Sequence, residues 1–213
     1  MKKQDMKKIV LEISKQSFEE KLFAGTSGNL SVYDPDSKLM AITPSGVSYP
    51  TMQTDDIVIM TLEGEVIEAK GEPSSEWRMH ATIYQNRPDV NAVVHTHSPY
   101  ATGFAIANKS IPAVLIEMVP FIGGDIPIAE FAYPGTAELG QAALSVLHNR
   151  YSCLLANHGA LAIGKNLRRA HLCATYTEDA AKICAYGQAV GEIKIIPKDV
   201  QNVMRRKYGI QEE

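Results

Sequence analysis

Apolar residues recur along this chain with two different spacings, and the switches between them lay out its elements. Between residues 2 and 22, Met6, Ile9, Val10, Ile13 and Leu22, with Phe18 nearby, predict an amphipathic helix with one buried stripe. GTSGN interrupts it. Leu30 to Tyr33 and Leu39 to Ile42 read as short strands, and the turn-rich DPDS between them predicts a hairpin. Ile57 to Met60 and Val66 to Ala69 flank LEGE as a second hairpin. After EPSS, the segment from Glu76 to about Gln85 is amphipathic and is predicted to be helical.

Ala92 to Val94 form an apolar run, and Pro99 to Ala107 predict a helix with proline in its first turn. Val114 to Met118 read as a short strand. VPFIGGDIPIAEFAYPG is rich in Gly and Pro and reads as loops around one or two short strands. It ends at PGTAELG, where Thr136 is placed to cap a helix from Ala137 to His148. Cys153 to Ala156 and Leu161 to Ile163 read as strands hinged at NHG, where Gly159 lets the backbone turn. A last long helix is predicted over Leu167 to Val190, with Ala170, Cys173, Ala174, Thr177, Ala181 and Cys184 as a small-residue face suited to close packing. Helices therefore interleave with hairpins rather than with single parallel strands, which predicts an α/β fold with an antiparallel or mixed sheet covered by helices. Without repeats, low-complexity tracts or a shift in composition, residues 1–213 are expected to form one domain.

Charge narrows the function classes. Lys plus Arg is 21 and Asp plus Glu is 24, a formal charge of -3 that argues against a large nucleic-acid footprint. Lys2, Lys3, Lys7 and Lys8, with Asp5 and Glu12 among them, read as the wet face of the first helix. Cys153, Cys173 and Cys184 are odd in number and form no C-x-x-C, as expected of buried thiols in the cytoplasm. No leader pattern opens the chain, and its apolar runs are broken too soon to cross a bilayer, so no membrane partner is expected.

The densest candidate chemistry lies in NAVVHTHSPYAT. In an extended segment His95 and His97 point to the same face, so their imidazoles can share one ion. His158, in NHG at the end of another apolar strand, is the candidate third ligand, and three protein ligands with one position left open is a common catalytic arrangement for zinc. The alternative is that the first two bond loop carbonyls and His158 is an unrelated turn residue. His80, one helical turn past Glu76, is a candidate fourth ligand or a support for one. His148 and His171 lie in helical stretches with polar neighbours and read as ordinary surface or interface residues.

Glu76 follows Pro73-Ser74-Ser75 at a helix start. It is either presented into a pocket or merely favours the positive end of a helix capped by Ser74 or Ser75, a role worth about 0.3 to 1 kcal/mol. Three loops, Thr26-Ser27-Gly28-Asn29, Thr43-Pro44-Ser45-Gly46 and Ser74-Ser75, combine glycine with hydroxyl or amide donors. Each alone is a turn; together they can cradle a phosphate without a Walker lysine. No G-x-x-x-x-G-K-[ST] or strand-linked G-x-G-x-x-G supports an NTPase or a dinucleotide enzyme.

In order along nearly the whole chain, GTSGNLS, TPSG, EPSSEWRMH, RPDVNAVVHTHSPYAT, IPA, GG and NHG resemble the class II sugar-phosphate aldolase family, which also includes adducin head domains and ribulose-phosphate 4-epimerases. The resemblance is nearest to the fuculose-phosphate branch. It implies a three-layer α/β/α fold around a mostly antiparallel sheet, assembled as a homotetramer with sites between adjacent subunits. It implies one Zn2+ per subunit on His95, His97 and His158, with Glu76 as acid/base. Phosphate binding falls to Gly28, Asn29, Ser45, Gly46, Ser74 and Ser75, with Thr26 or Thr43 contributing a hydroxyl.

The implied reaction is reversible cleavage of a phosphorylated ketose, L-fuculose 1-phosphate or a similar ketose 1-phosphate, to dihydroxyacetone phosphate and L-lactaldehyde. In that branch a neighbouring subunit's tyrosine donates a proton to the aldehyde. Glu117 in VLIEMVPFIGG stands at that place, with one residue of length difference, as donor or as an edge-strand carboxylate facing solvent. Tyr208 in RRKYG resembles the C-terminal tyrosine that closes the site; otherwise it is an exposed tail aromatic. Epimerisation of L-ribulose 5-phosphate, dehydration of methylthioribulose 1-phosphate and a non-catalytic adducin-like role remain open alternatives.

Overall fold

Period-two alternation in the strands divides the core into two halves, one on each face of a single sheet. The computed structural model describes residues 1–210. Eight strands, β1 (Asn29–Asp34), β2 (Leu39–Ile42), β3 (Val58–Met60), β4 (Val66–Glu68), β5 (Ala92–Thr96), β6 (Ile128–Ala129), β7 (Ser152–Leu155) and β8 (Gly159–Gly164), form one sheet in the order β4-β3-β2-β1-β5-β8-β7-β6. Every pairing is antiparallel except β6 with β7. On β5, Ala92 and Val94 enter the core on one face, while Val93 enters the core on the other and His95 shares its parity. The first face is covered by α1 (Lys3–Glu19), α3 (Pro99–Ile106), α4 (Met118–Ile122) and α6 (Leu167–Val190); the second by α2 (Trp77–Asn86) and α5 (Ala137–Leu147). This is the three-layer α/β/α arrangement with a mostly antiparallel sheet.

The helix stripe expected at the start is real but shorter: α1 ends at Glu19, and Met6, Val10 and Ile13 are fully or almost fully buried. Truncating Met6 or Ile13 to alanine is the kind of change that costs about 2 to 5 kcal/mol. Lys7 departs from the expected wet face. It is 2% exposed, and its ammonium pairs with Glu68 of β4. Both hairpins form as predicted, and α6 spans the predicted residues with its small-residue face against the sheet. Among the described residues no helix is long and apolar enough to cross a membrane.

Two elements differ from the pattern reading. Val114 to Met118 is not a strand: Met118 starts α4, and Glu117 is its N-cap residue rather than an edge-strand carboxylate. The apolar positions Val114, Leu115, Met118, Val119 and Ile122 follow a helical stripe, and Pro120 falls in the first turn, where its missing N–H is no loss. A further helix, α7 (Lys198–Tyr208), occupies what read as a tail; its fully buried Arg205 donates to the Gly123 carbonyl. Thr136 does sit at the N-cap of α5, but its hydroxyl donates to the Tyr133 carbonyl and caps nothing.

Candidate active site

The sheet register brings the histidines together. Asn29 of β1 lies opposite His95 of β5, so both side chains project on the α2 face, and His97 follows two residues on. His158 arrives from the β7–β8 turn. That turn is made at Asn157, whose φ is 55°, and not at Gly159 as the sequence suggested. Gly159 is needed for a different reason: a Cβ there would lie 2.2 Å from the Thr96 carbonyl oxygen, so only glycine lets β8 start this close to the end of β5.

The three imidazole rings form a near-equilateral triangle, with centroids 4.7, 4.8 and 4.9 Å apart. Glu76 closes it from the N-cap of α2, with Oε2 3.0 Å from His95 Nε2 and Oε1 3.5 Å from His158 Nε2. One potential ligand atom from each of Glu76, His95, His97 and His158 lies within 4.8 Å of all the others. His95 Nδ1 is 2.9 Å from the Ala160 carbonyl, which only accepts, so Nδ1 carries a proton and Nε2 is the nitrogen turned inward. Nε2 faces His97 Nε2 at 2.9 Å and the Glu76 Oε2 atom at 3.0 Å. Among the described residues, the buried Glu76 Oε1 and His158 Nδ1 find no hydrogen-bond partner. Electron-rich atoms converging this closely fit a shared cation, and three imidazoles with one carboxylate are a donor set suited to zinc and similar divalent ions.

Protonation agrees with that fit. Burial opposes ionisation of Glu76, but the His95 imidazole, the Asn29 amide and His158 outweigh it and hold the carboxyl well below its usual range. Burial pulls His97 and His158 down to about 4 and His80 down to about 3. Unfolded histidine titrates near 6.5, so between that value and the folded ones only the unfolded chain takes up protons. Stability of the metal-free protein is therefore full above pH 6.5 and falls as the solution is acidified. His80 alone contributes a slope of about 1.4 kcal/mol per pH unit, and Glu76 adds to the loss below its usual range. Urea denaturation of the chelator-treated protein between pH 7.5 and 4.5 checks this; a flat profile would contradict it.

Beside the triangle lies a pocket of about 210 Å³ lined by Thr26, Ser27, Gly28, Asn29, Pro44, Ser45, Gly46, Ser74, Ser75, Glu76, His97, Pro134 and His158. Backbone bonds tie two of its loops together: Ser45 N to the Glu72 carbonyl at 2.9 Å, and Ser74 N to the Thr43 carbonyl at 3.0 Å. Gly28 has φ 84°, and a Cβ there would meet the Phe23 ring at 2.4 Å. None of the lining residues is Lys or Arg, so an anion here meets N–H and O–H donors. A larger cavity of about 520 Å³, between Val114 and Leu115 and residues 183–194, contains none of the clustered histidines.

All six residues expected to hold phosphate line this pocket, together with Glu76, His97 and His158; His95 is buried behind them. The capping alternative for Glu76 does not hold: its carboxylate points at the histidines, and Ser74 Oγ only accepts from Glu76 N at 3.4 Å. Glu117, and Tyr208 at 53% exposure, do not line the pocket of their own chain. His80 is outside the cluster and bonds Ser31 and Asn29 instead. His171 is buried against Glu20, the residue that ends α1 at its C-cap, rather than on the surface. Two features escaped the sequence reading. Pro134 comes from a loop whose fold no local pattern gives, whereas the Asn29 bond to Glu76, 3.0 Å long, was signalled by polar residues alternating on β1.

Comparison with known proteins agrees with this geometry. Residues 8–185 match the family model for the class II aldolase and adducin N-terminal domain. A 5-deoxy-D-ribulose 1-phosphate aldolase of Bacillus thuringiensis serovar kurstaki is 37% identical over 199 residues, 93% of each chain. A 5-methylthioribulose-1-phosphate/5-deoxyribulose-1-phosphate aldolase of Rhodospirillum rubrum is 41% identical over 86% of this chain and 82% of its own. A solved L-fuculose 1-phosphate aldolase superposes with a TM-score of 0.92 and 39% identity, covering 97% of both chains.

Proposed function

The chain belongs to the class II aldolase and adducin family and is an enzyme of its aldolase class, and from that premise we propose that it cleaves a ketose 1-phosphate to dihydroxyacetone phosphate and an aldehyde, residues 1–213 acting as one catalytic domain. The observation that carries this reading is the convergence of Glu76 on three imidazoles beside a pocket of neutral anion donors. His95, His97 and His158 would hold a divalent ion, proposed to be one Zn2+ per subunit, with Glu76 as the fourth group before substrate enters. When bound, the ion supplies Lewis-acid polarisation of the ketose carbonyl.

The residues of the chain do the remaining work. N–H and hydroxyl donors of Gly28, Asn29, Ser45, Gly46, Ser74 and Ser75 hold the phosphate and so orient the sugar. A base takes the C4 hydroxyl proton, the C3–C4 bond breaks to release the aldehyde, and the bonding pair passes to an enediolate. The proton taken from the C4 hydroxyl reaches the Glu76 carboxylate through solvent, and Glu76 delivers it to C3; in the condensation direction Glu76 removes it. No lysine lines the pocket, and Lys70 is an exposed partner of Asp55, which supports a mechanism without a Schiff base. Glu117 and Tyr208 of a neighbouring copy in a homotetramer are the proposed partners for the C4 hydroxyl. That neither lines its own chain's pocket supports this part of the reading. Three free, buried cysteines support a cytoplasmic setting.

L-Fuculose 1-phosphate, which would yield L-lactaldehyde, and 5-deoxyribulose 1-phosphate, which would yield acetaldehyde, share the phosphorylated three-carbon head and a terminal methyl. The relatives described above support both. Zinc-loaded enzyme incubated separately with these two, methylthioribulose 1-phosphate and L-ribulose 5-phosphate, with products identified by NMR, tests the reading. Dihydroxyacetone phosphate plus an aldehyde from a ketose 1-phosphate is expected. Epimerised or dehydrated product without it would replace the reaction, and bound zinc without turnover would favour the adducin-like alternative.

A further inference from the structure

Behind Glu76 a polar stripe on α2 meets a polar stripe on β1. Glu76, His80 and Tyr84 repeat every four residues, about 6 Å apart along a helix, and Asn29, Ser31 and Tyr33 repeat every two, about 6.6 Å apart along a strand. The near-equal steps let the stripes face one another, ending with the Tyr33 and Tyr84 rings stacked at 5.2 Å. His80, fully buried between them, is not used by the mechanism above.

The chemistry of these contacts has a direction. A carboxylate only accepts, so Asn29 must turn its Nδ2 to Glu76 Oε2, 3.0 Å away. That leaves Asn29 Oδ1 facing His80 Nε2 at 2.6 Å, and Nε2 must carry the proton. Burial keeps His80 neutral, so Nδ1 accepts from Ser31 Oγ at 2.7 Å. Ser31 Oγ in turn lies 2.7 Å from the Tyr84 hydroxyl. Turning the Asn29 amide over would set its oxygen against the Glu76 carboxylate, with His80 forced into the other tautomer.

We propose that His80 is a positioning residue: held as the Nε2–H tautomer by Ser31, it locks the Asn29 amide with its NH2 toward Glu76 and so fixes the carboxylate that closes the histidine triangle. The inference rests on the reading of Glu76 as the proton-transferring, metal-facing carboxylate, but its test needs no turnover. Nitrogen-15 NMR of the histidine side chains should show His80 as the Nε2–H tautomer in the wild-type protein; the Nδ1–H tautomer would overturn the proposal.

His80→Gln keeps a donor near the Nε2 position, whereas His80→Asn shortens the side chain so that its amide reaches only as far as Nδ1. Measured by chelator competition, zinc affinity is expected to stay within about threefold of wild type in His80→Gln and to fall about tenfold in His80→Asn, the scale seen when a ligand's supporting partner is lost. Equal affinities in the two variants, or a lower Tm with unchanged affinity, would reduce His80 to a packing residue. Should both variants fail to fold, the wild-type tautomer still decides. Failure of every ketose phosphate to turn over, with the tautomer and the Gln rescue as expected, would remove the proposed function and leave this inference standing.

Discussion

Glu76→Gln is expected to lower kcat about 10³-fold while leaving the fold and the bound metal in place. The substitution preserves shape and removes the one group in the cluster able to take a proton from carbon, and general acid–base groups contribute about 10² to 10⁴-fold. The folded site keeps Glu76 ionised, because the His95 and His158 imidazoles and the Asn29 amide outweigh its burial. A ready carboxylate base is thereby present at neutral pH. Three histidines suffice to retain an ion, so elemental analysis of the variant should still find close to one equivalent per chain. A kcat within tenfold of wild type, at equal metal content, would remove Glu76 from the proton transfer.

His158→Ala is expected to lower activity by more than about 100-fold through loss of the metal, since even outer partners of a ligand are worth about 10 to 100-fold in affinity. This histidine is the least entangled of the three for such a test. It comes from the turn before β8, whereas His95 lies within β5, opposite Leu161, and bonds the Ala160 carbonyl. In the metal-free protein the buried His158 Nδ1 has no hydrogen bond among the described residues, so its removal should leave Tm nearly unchanged after chelation. Chelator competition and thermal melting, run side by side, check both halves. Wild-type activity in a metal-free His158→Ala preparation would contradict the metal-centred site.

Much of the site was legible because its signals are local. His95 and His97 repeat at strand spacing beyond an apolar run, and the hairpins carry their own turn residues, so β1, β2, β3, β4 and β5 could be drawn from pattern alone. The small-residue face of α6 was equally plain. What stayed hidden depends on contacts distant in sequence. Lys7 looked solvated until Glu68 of β4 came against it. The five residues from Val114 to Met118 are too short for their period to separate strand from helix, and the Gly- and Pro-rich run from Val119 was read as loops although Pro120 occupies a first helical turn. The helix α7 carried ordinary signals, Pro197 before it, Asp199 in its first turn, basic residues in its last and Gly209 after it, yet they lay in a stretch read as tail. The direction of Glu76 was beyond local pattern, because a helix N-terminus offers a carboxylate two destinations and only the registration of α2 over β1 and β5 chooses the histidines.

The most direct test of the central claim, that Glu76 and the histidine cluster together make and protonate an enediolate, is hydrogen exchange into dihydroxyacetone phosphate alone. Incubated in D2O with zinc-loaded enzyme and no aldehyde, one of the two hydrogens on its hydroxymethyl carbon should exchange, as followed by proton NMR, and neither should exchange with chelated enzyme or with Glu76→Gln. No exchange by folded, metal-loaded wild-type enzyme, or equal exchange by Glu76→Gln, would contradict the account.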